Sequence, residues 1–308
     1  MARSSQGSID VEPVALPAPA PVGVGAMRKL GAVRQWWRRF ARNRGAVFGL
    51  GVLVAILLMA AFADVLAPFD PLAQGVGPSN ATPTWTHWAG TDSFGRDMLS
   101  RIIYGSRIAL VVGVVSVLLA MVIGVVLGLV AGYYGGWLDA LIMRVMDGLF
   151  AFPIIILAIA MMAVMGFGVK NVIIAVAVGF IAPFARVTRG DVLAVKQEPY
   201  IEAARLAGVP ARAIIARHVL PNVLAPIIVQ AALRVSGAII IESGLSFLGL
   251  GPPPPTPVWG SMIAEGRNFI VMAPHISTFP GIALMVTIVG LNLLGDGLRD
   301  TLDPRLRR

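Results

Sequence analysis

Cysteine is absent from the 308 residues, so disulfides, thiolate metal sites and cysteine nucleophiles are all excluded. Histidine occurs only three times, as His87, His218 and His275, and none has a second ligand at helix or loop spacing, so no metal site is expected. Neither His-Glu-x-x-His nor Gly-x-Ser-x-Gly occurs, which leaves an intramembrane enzyme without support. No glycine-rich loop ends in Gly-Lys-Ser or Gly-Lys-Thr, so the chain is not expected to bind and hydrolyse ATP itself. Charge is scarce too. Charged residues make up 13% of the chain, against roughly 25% in soluble domains.

What is abundant is apolar: 57% of residues are hydrophobic and the mean hydropathy is +0.81, the profile of a membrane protein. The net charge of +9 comes without a basic stripe interleaved with aromatics outside the flanks of the spans, so membrane topology explains it better than nucleic acid does. Residues 1–26, rich in Pro, Ala, Gly and Val, read as a disordered cytoplasmic tail rather than a signal peptide. Residues 27–45 read as a basic amphipathic helix in the lipid interface, with Leu30, Val33, Trp37 and Phe40 on one face and Arg34, Arg38, Arg39 and Arg42 around the rest.

Residues 46–308 read as one all-α, polytopic domain of six transmembrane helices. The spans are placed at Phe48 to Ala67, Ile108 to Tyr134, Leu138 to Phe167, Val172 to Ala185, Val223 to Leu248 and His275 to Leu294. Gly124, Gly128 and Gly132 recur every fourth residue, a smooth stripe for close helix packing. Between the spans lie external loops at 68–107 and 249–274 and a cytoplasmic loop at 186–222. The stretch from Gly249 to Gly260, with four consecutive prolines, is expected to be non-helical. Two pairs of ionisable residues inside spans stand out. Arg144 and Asp147, three apart, can neutralise each other, and Arg234 and Glu242, eight apart, are expected on a common face; either pair could line a pathway or join helices.

The interval 186–222 carries the sharpest local pattern. Pro199 suits the first turn of a helix and Gly208 can close one in the left-handed conformation, so a compact helix is predicted over 199–207. Ala203, Ala204 and Ala207 give it a small-residue face, with Glu202 and Arg205 left for polar contacts. Pro210 restarts a second short helix through Ile214, Ile215 and Val219, which Pro221 is expected to stop. Helices this short need a partner surface to persist.

Glu202-Ala203-Ala204, three residues, Gly208, and a gap closed by Leu220-Pro221 resembles the cytoplasmic coupling motif of permease subunits in bacterial ABC importers. His218 stands where the general pattern has an aliphatic residue, and Arg217 to Asn222 is instead similar to the peptide and nickel branch. Gly90-Thr91-Asp92-Ser93-Phe94-Gly95-Arg96-Asp97 resembles a signature of that branch, read here as a structural loop rather than as a site for a Ser93 nucleophile. The stretches 249–260 and 295–305 are also similar, so the likeness runs from about residue 28 to the end.

The resemblance implies a type I ABC importer permease fold and the role of a C-type permease subunit for dipeptides or oligopeptides. It also implies a heterodimer with a homologous permease, two ATPase subunits that bind ATP and Mg in trans, an external substrate-binding protein and surrounding membrane lipid. No cofactor is implied for this chain. Glu202, Ala203, Ala204, Arg205, Gly208, Leu220 and Pro221 would couple the ATPases to the spans. Nickel or oligosaccharide cargo in the same architecture is the alternative, and an ion-coupled secondary transporter built on Arg144, Asp147, Arg234 and Glu242 is another.

Basic residues set the expected orientation. Eight Lys and Arg precede the first span, six lie in 186–217 and four in the last ten residues. The positive-inside rule then puts these three regions, and both termini, on the cytoplasmic side of a bacterial inner membrane.

Overall fold

The computed structural model describes residues 37, 38 and 40–302. The tail 1–26, most of the amphipathic segment 27–45 and the last residues of the carboxyl-terminal motif lie outside them. Of the amino-terminal unit, residues 1–39, Trp37 and Arg38 are helical. The second unit, from Phe40 on, is described below.

It is built of helices alone among the described residues: α1 (Arg44–Ala61), α2 (Ala63–Leu66), α3 (Met98–Tyr134), α4 (Gly136–Phe150), α5 (Ile154–Met165), α6 (Val169–Val195), α7 (Pro199–Leu206), α8 (Ala211–Ile214), α9 (Leu220–Phe247), α10 (Trp259–Arg267) and α11 (His275–Leu302). A π-helical turn, Ile215–Val219, joins α8 to α9. Five of the helical stretches are long and apolar enough to cross a membrane, and α4 with α5 makes a sixth if the bent pair is one span.

The bend is a departure from the straight third span expected over 138–167. α4 and α5 meet at 88° across Ala151, Phe152 and Pro153. Pro153 lacks an N–H and excludes the helical conformation just before it, so the helix cannot run through. α5, with 12 residues, is about 18 Å long and cannot span alone.

α3 starts ten residues earlier than hydropathy suggested. Asp97 caps it by accepting from the Ser100 N–H at 2.8 Å, and the charges of its first turns are met by the loop before it. With 37 residues it is about 55 Å long, so it runs from the loop before it to the hairpin at the opposite end. α6 also outruns its expected limit at Ala185. Arg186 and Arg189 do not flank the span but continue the helix, because Asp147 and Asp139 of α4 neutralise them, each at 2.6 Å.

The glycine stripe is where α3 meets α6. A Cβ built on Gly124, Gly128 or Gly132 would fall 2.6–2.8 Å from atoms of Phe184, Ala185, Thr188 or Val192, so the two backbones touch. Around this seam a core of Val117, Leu129, Met162, Phe180, Phe184 and Ile227 unites α3, α5, α6 and α9. A second core, under the loops before α3 and α10, gathers Met98, Ile102, Trp259, Met262 and Ile276.

Trp259 and Gly260, expected in a non-helical loop, instead open α10. The Trp259 indole N–H donates to the Ile102 carbonyl at 2.9 Å, and the ring fills the space above Gly105, which anchors a helix that the prolines before it cannot continue.

Candidate functional site

The hairpin 196–222 begins as local chemistry requires. Glu198 is extended, Pro199 occupies the first turn of α7, and Gly208, at φ +76°, reverses the chain. The Gly208 N–H donates to the Arg205 carbonyl at 3.0 Å and the Val209 N–H to Ala204 at 3.1 Å, the two bonds of a Schellman closure. Ala204 and Val209, the residues such a closure brings together, both pack on the main core.

The three alanines do not share a face. Ile201 is fully buried and Ala204 half-buried toward the bundle, whereas Glu202, Ala203, Leu206 and Ala207 look outward, Leu206 at 85% exposure. The helix is therefore bolted down by Ile201 and Ala204 and presents a small, mixed surface away from the protein. Its mounts come from three spans. Lys196 donates to the carbonyls of Gly132 and Tyr133 at the end of α3, at 3.2 and 3.3 Å, and Arg205 stacks over the Tyr133 ring at 5.2 Å. Asn222 donates to the Tyr200 hydroxyl at 3.2 Å and to the His218 carbonyl at 2.6 Å.

Pro221 does not stop the second helix, contrary to expectation. In a regular α-helix its ring would clash with the Arg217 carbonyl. The π turn just before it changes the register, as the Leu220 N–H bonds Ile215 five residues back, so Leu220 and Pro221 open α9 and the chain passes from α8 into the membrane without a break. α7 is thus attached to α3, α6 and α9 together. Lys196, Tyr200 and Ile201, which make these attachments, were not singled out from the sequence; only the pairing of an apolar residue with the inner helical face hinted at Ile201.

A groove of about 920 Å³ lies between α6 and α9, with Arg299 of α11 at its edge. Asp191, Gln230, Arg234 and Arg299 line it among apolar neighbours, and Ala194, Asn222, Pro226, Ile240 and Arg299 are exposed, so it opens on the outside of the chain. The Asp191 Oδ2 and Gln230 Oε1 atoms are shielded from solvent and accept no hydrogen bond. Arg234 sits over the Phe180 ring at 5.4 Å and has no ion-pair partner among the described residues.

Of the four span charges singled out in the sequence, the structure brings together neither expected pair. Asp147 bonds Arg186, leaving Arg144 without an ion pair among the described residues, because the bend after α4 turns Asp147 toward α6. Arg234 and Glu242 are also parted: eight residues at 3.6 per turn leave about 80° between them. Glu242 is buried, accepting from Ser246 at 2.7 Å and Ser243 at 3.3 Å, and does not line the groove.

The signature at 90–97 forms a buried knot. Asp92 holds Arg96 at 2.5 Å and faces Arg101 at 3.5 Å, both arginines reach Glu265 of α10, and His87 bonds Asp97 at 2.9 Å. Gly90 and Gly95, at φ +74° and +67°, make turns no other residue adopts easily, and His275 bonds the Thr91 carbonyl at 3.1 Å. Neither His87 nor His275 is hydrogen-bonded to Ser93 among the described residues, so no nucleophile–base pair forms there. The knot ties the loop to α3, α10 and α11.

The chain was compared with known proteins. Residues 124–308 match the family model described as "Binding-protein-dependent transport system inner membrane component", and residues 32–83 match the N-terminal TM domain of oligopeptide transport permease C. The glutathione transport system permease protein GsiD of Pectobacterium atrosepticum is 49% identical over 276 residues, covering 89% of this chain and 91% of that protein. GsiD of Escherichia coli O6:K15:H31 is 47% identical over 274 residues, covering 89% and 90%. Among solved structures, an inward-facing MetNI methionine ABC transporter shares the fold, with a TM-score of 0.54 at 19% identity, over 66% of this chain and 97% of that one. Family match, relatives aligned along nearly their whole length and a shared bundle of spans agree: the chain belongs to the binding-protein-dependent transport system inner membrane components, the multi-pass permease subunits of ABC importers, and is a transport subunit rather than an enzyme.

Proposed function

We propose that this chain is the C-type permease of an ATP-driven importer of small peptides of the glutathione class. It pairs with a homologous second permease, receives cargo from an external binding protein, and is driven by two ATPase subunits that hold ATP and Mg. The cargo reading is supported by the 49% identity with a glutathione permease along the membrane domain. The coupling reading rests on one observation: α7 offers Glu202, Ala203 and Leu206 outward while Ile201, Lys196 and Arg205 fix it to the bundle. A helix held this way is a lever. Closure of the ATPases would tilt α3, α6 and α9 as one, and by reciprocity cargo delivery outside would favour the closed ATPases. Both termini are cytoplasmic in this reading, as the basic residues favour.

The test separates the two faces of α7. Ala203→Trp adds bulk to an exposed position, so insertion persists while ATPase subunits no longer co-purify and ATP-dependent uptake falls at least about tenfold. Gly208→Pro cannot take φ +76° and loses the N–H given to Arg205, so it uncouples uptake as well. Normal uptake and normal ATPase association in both variants would overturn the coupling role.

A further inference from the structure

Charges within the spans of this protein are in part neutralised by the chain itself: Asp147 by Arg186, Asp139 by Arg189. Among the described residues Arg144 and Glu242 are not, and the groove between α6 and α9 gathers three more that are not. Asp191, Arg234 and Arg299 line one cavity of about 920 Å³, none is in an ion pair among the described residues, and Gln230 beside them has a shielded oxygen without a donor. Arg234, the member inside a span, is costly at that depth and persists where it faces a partner or an aqueous path, while Asp191 and Arg299 extend the same groove toward the helix ends. Here the partner is not in the chain.

We infer that Asp191, Gln230, Arg234 and Arg299 form a cargo-reading strip in one wall of the translocation path, taking a peptide with free carboxylates and a free ammonium. The inference rests on the peptide-import reading above. Two guanidinium groups and one carboxylate complement a tripeptide of the glutathione type, which carries two carboxylates and one ammonium. Arg234 and Arg299 receive the carboxylates, Asp191 the ammonium, and the Gln230 oxygen accepts a peptide N–H. The guanidinium forks suit carboxylates, and the apolar neighbours strengthen each contact by excluding water. The volume falls within the roughly 300–1,000 Å³ of small-molecule sites. A wall that is exposed on one side needs a second wall, which the partner permease supplies.

The experiment uses the complete importer with its binding protein in proteoliposomes and labelled glutathione as the probe. Arg234→Gln should lower uptake at least about tenfold, the loss expected for one charge-assisted hydrogen bond, whereas Arg234→Lys, which keeps the charge but not the guanidinium fork, should lose less. Lys170→Gln, at the far end of α6 and outside the groove, should import as the unaltered protein does. In parallel, Gln230→Cys, the only thiol in a chain without cysteine, is labelled with a maleimide in the same complex. S-methylglutathione should slow that labelling, and its diamide, which lacks the carboxylates, should not.

Full uptake by Arg234→Gln, or labelling that neither peptide or both peptides slow alike, overturns the strip. The latter result would mean that the groove is filled by the partner permease or is not read by charge. If Arg234→Gln fails to assemble, the labelling decides alone. Absence of glutathione uptake by the unaltered importer overturns the peptide reading itself, whereas normal uptake with an indifferent Arg234→Gln overturns only the strip.

Discussion

Gly128 is the position at which the packing of α3 on α6 is most directly tested. A Cβ there would lie 2.6 Å from both the Ala185 carbonyl oxygen and the Thr188 Cβ, and 3.1 Å from the Arg189 nitrogen. Comfortable contact begins near 3.5 Å, so the helices would have to separate by about 1 Å at the seam. Neither neighbour can swing away, since one is backbone and the other is the stem of a β-branched side chain. Overpacking of a tight core costs about 1–3 kcal/mol, and the two further methyls of valine place Gly128→Val at the upper end. The gain in helix propensity over glycine offsets only a few tenths of that. About 3 kcal/mol corresponds to roughly a hundredfold shift in the folded-to-unfolded ratio. The matched control is Gly190→Val on α6, where an added Cβ meets nothing within 4 Å. Reversible unfolding of the purified chain in mixed micelles, titrated with dodecyl sulfate and followed by helical circular dichroism, measures both. Equal midpoints for the two variants would refute the close-approach argument.

Ile201→Ala should release α7 from the bundle: removing a fully buried isoleucine costs about 2–5 kcal/mol, and proteolysis in the segment 196–210 should accelerate while the spans remain protected. The membrane-crossing helix α1 ends at Ala61 and not at Ala67 as expected, so Asp64 lies beyond it in α2; its carboxyl, held down to about 2 by hydrogen bonds from Arg107 and then Tyr104, has an ordinary value of 3.8. Its folded-state value is depressed, so its contribution is fully present above about 4 and is lost as the pH falls through about 2. Asp64→Asn should therefore differ from the unaltered chain by a constant amount at neutral pH and converge with it near pH 2, as read from dodecyl sulfate midpoints across that range. A difference that persisted unchanged at pH 2 would contradict the assigned cause.

The legible parts of the fold are those with a local cause. Hydropathy located the spans because transfer of apolar side chains into lipid is a property of each stretch. Pro199 and Gly208 announced α7 because one fixes φ for a first turn and the other accepts a positive φ at the last. The stripe of Gly124, Gly128 and Gly132 announced a close seam, though not the helix across it. The candidate site was less legible. Glu202, Ala203 and Arg205 were found by their pattern, but Lys196 and Tyr200, which fasten them, touch residues 63 and 22 positions away.

Sequence alone therefore determined that this is an all-helical membrane protein with a punctuated hairpin between spans, since i-to-i+4 backbone bonding, proline geometry and hydropathy act within a few residues. Only the tertiary structure decided which charges meet. Arg186 and Arg189 look like the end of a span until Asp147 and Asp139 neutralise them, from 39 and 50 positions away in the sequence. It likewise decided that Ala204 turns inward and Ala203 outward, and that Asp191, Gln230, Arg234 and Arg299 share one groove. A helix presents every azimuth in turn, and which one is inside is set by the partner it packs on.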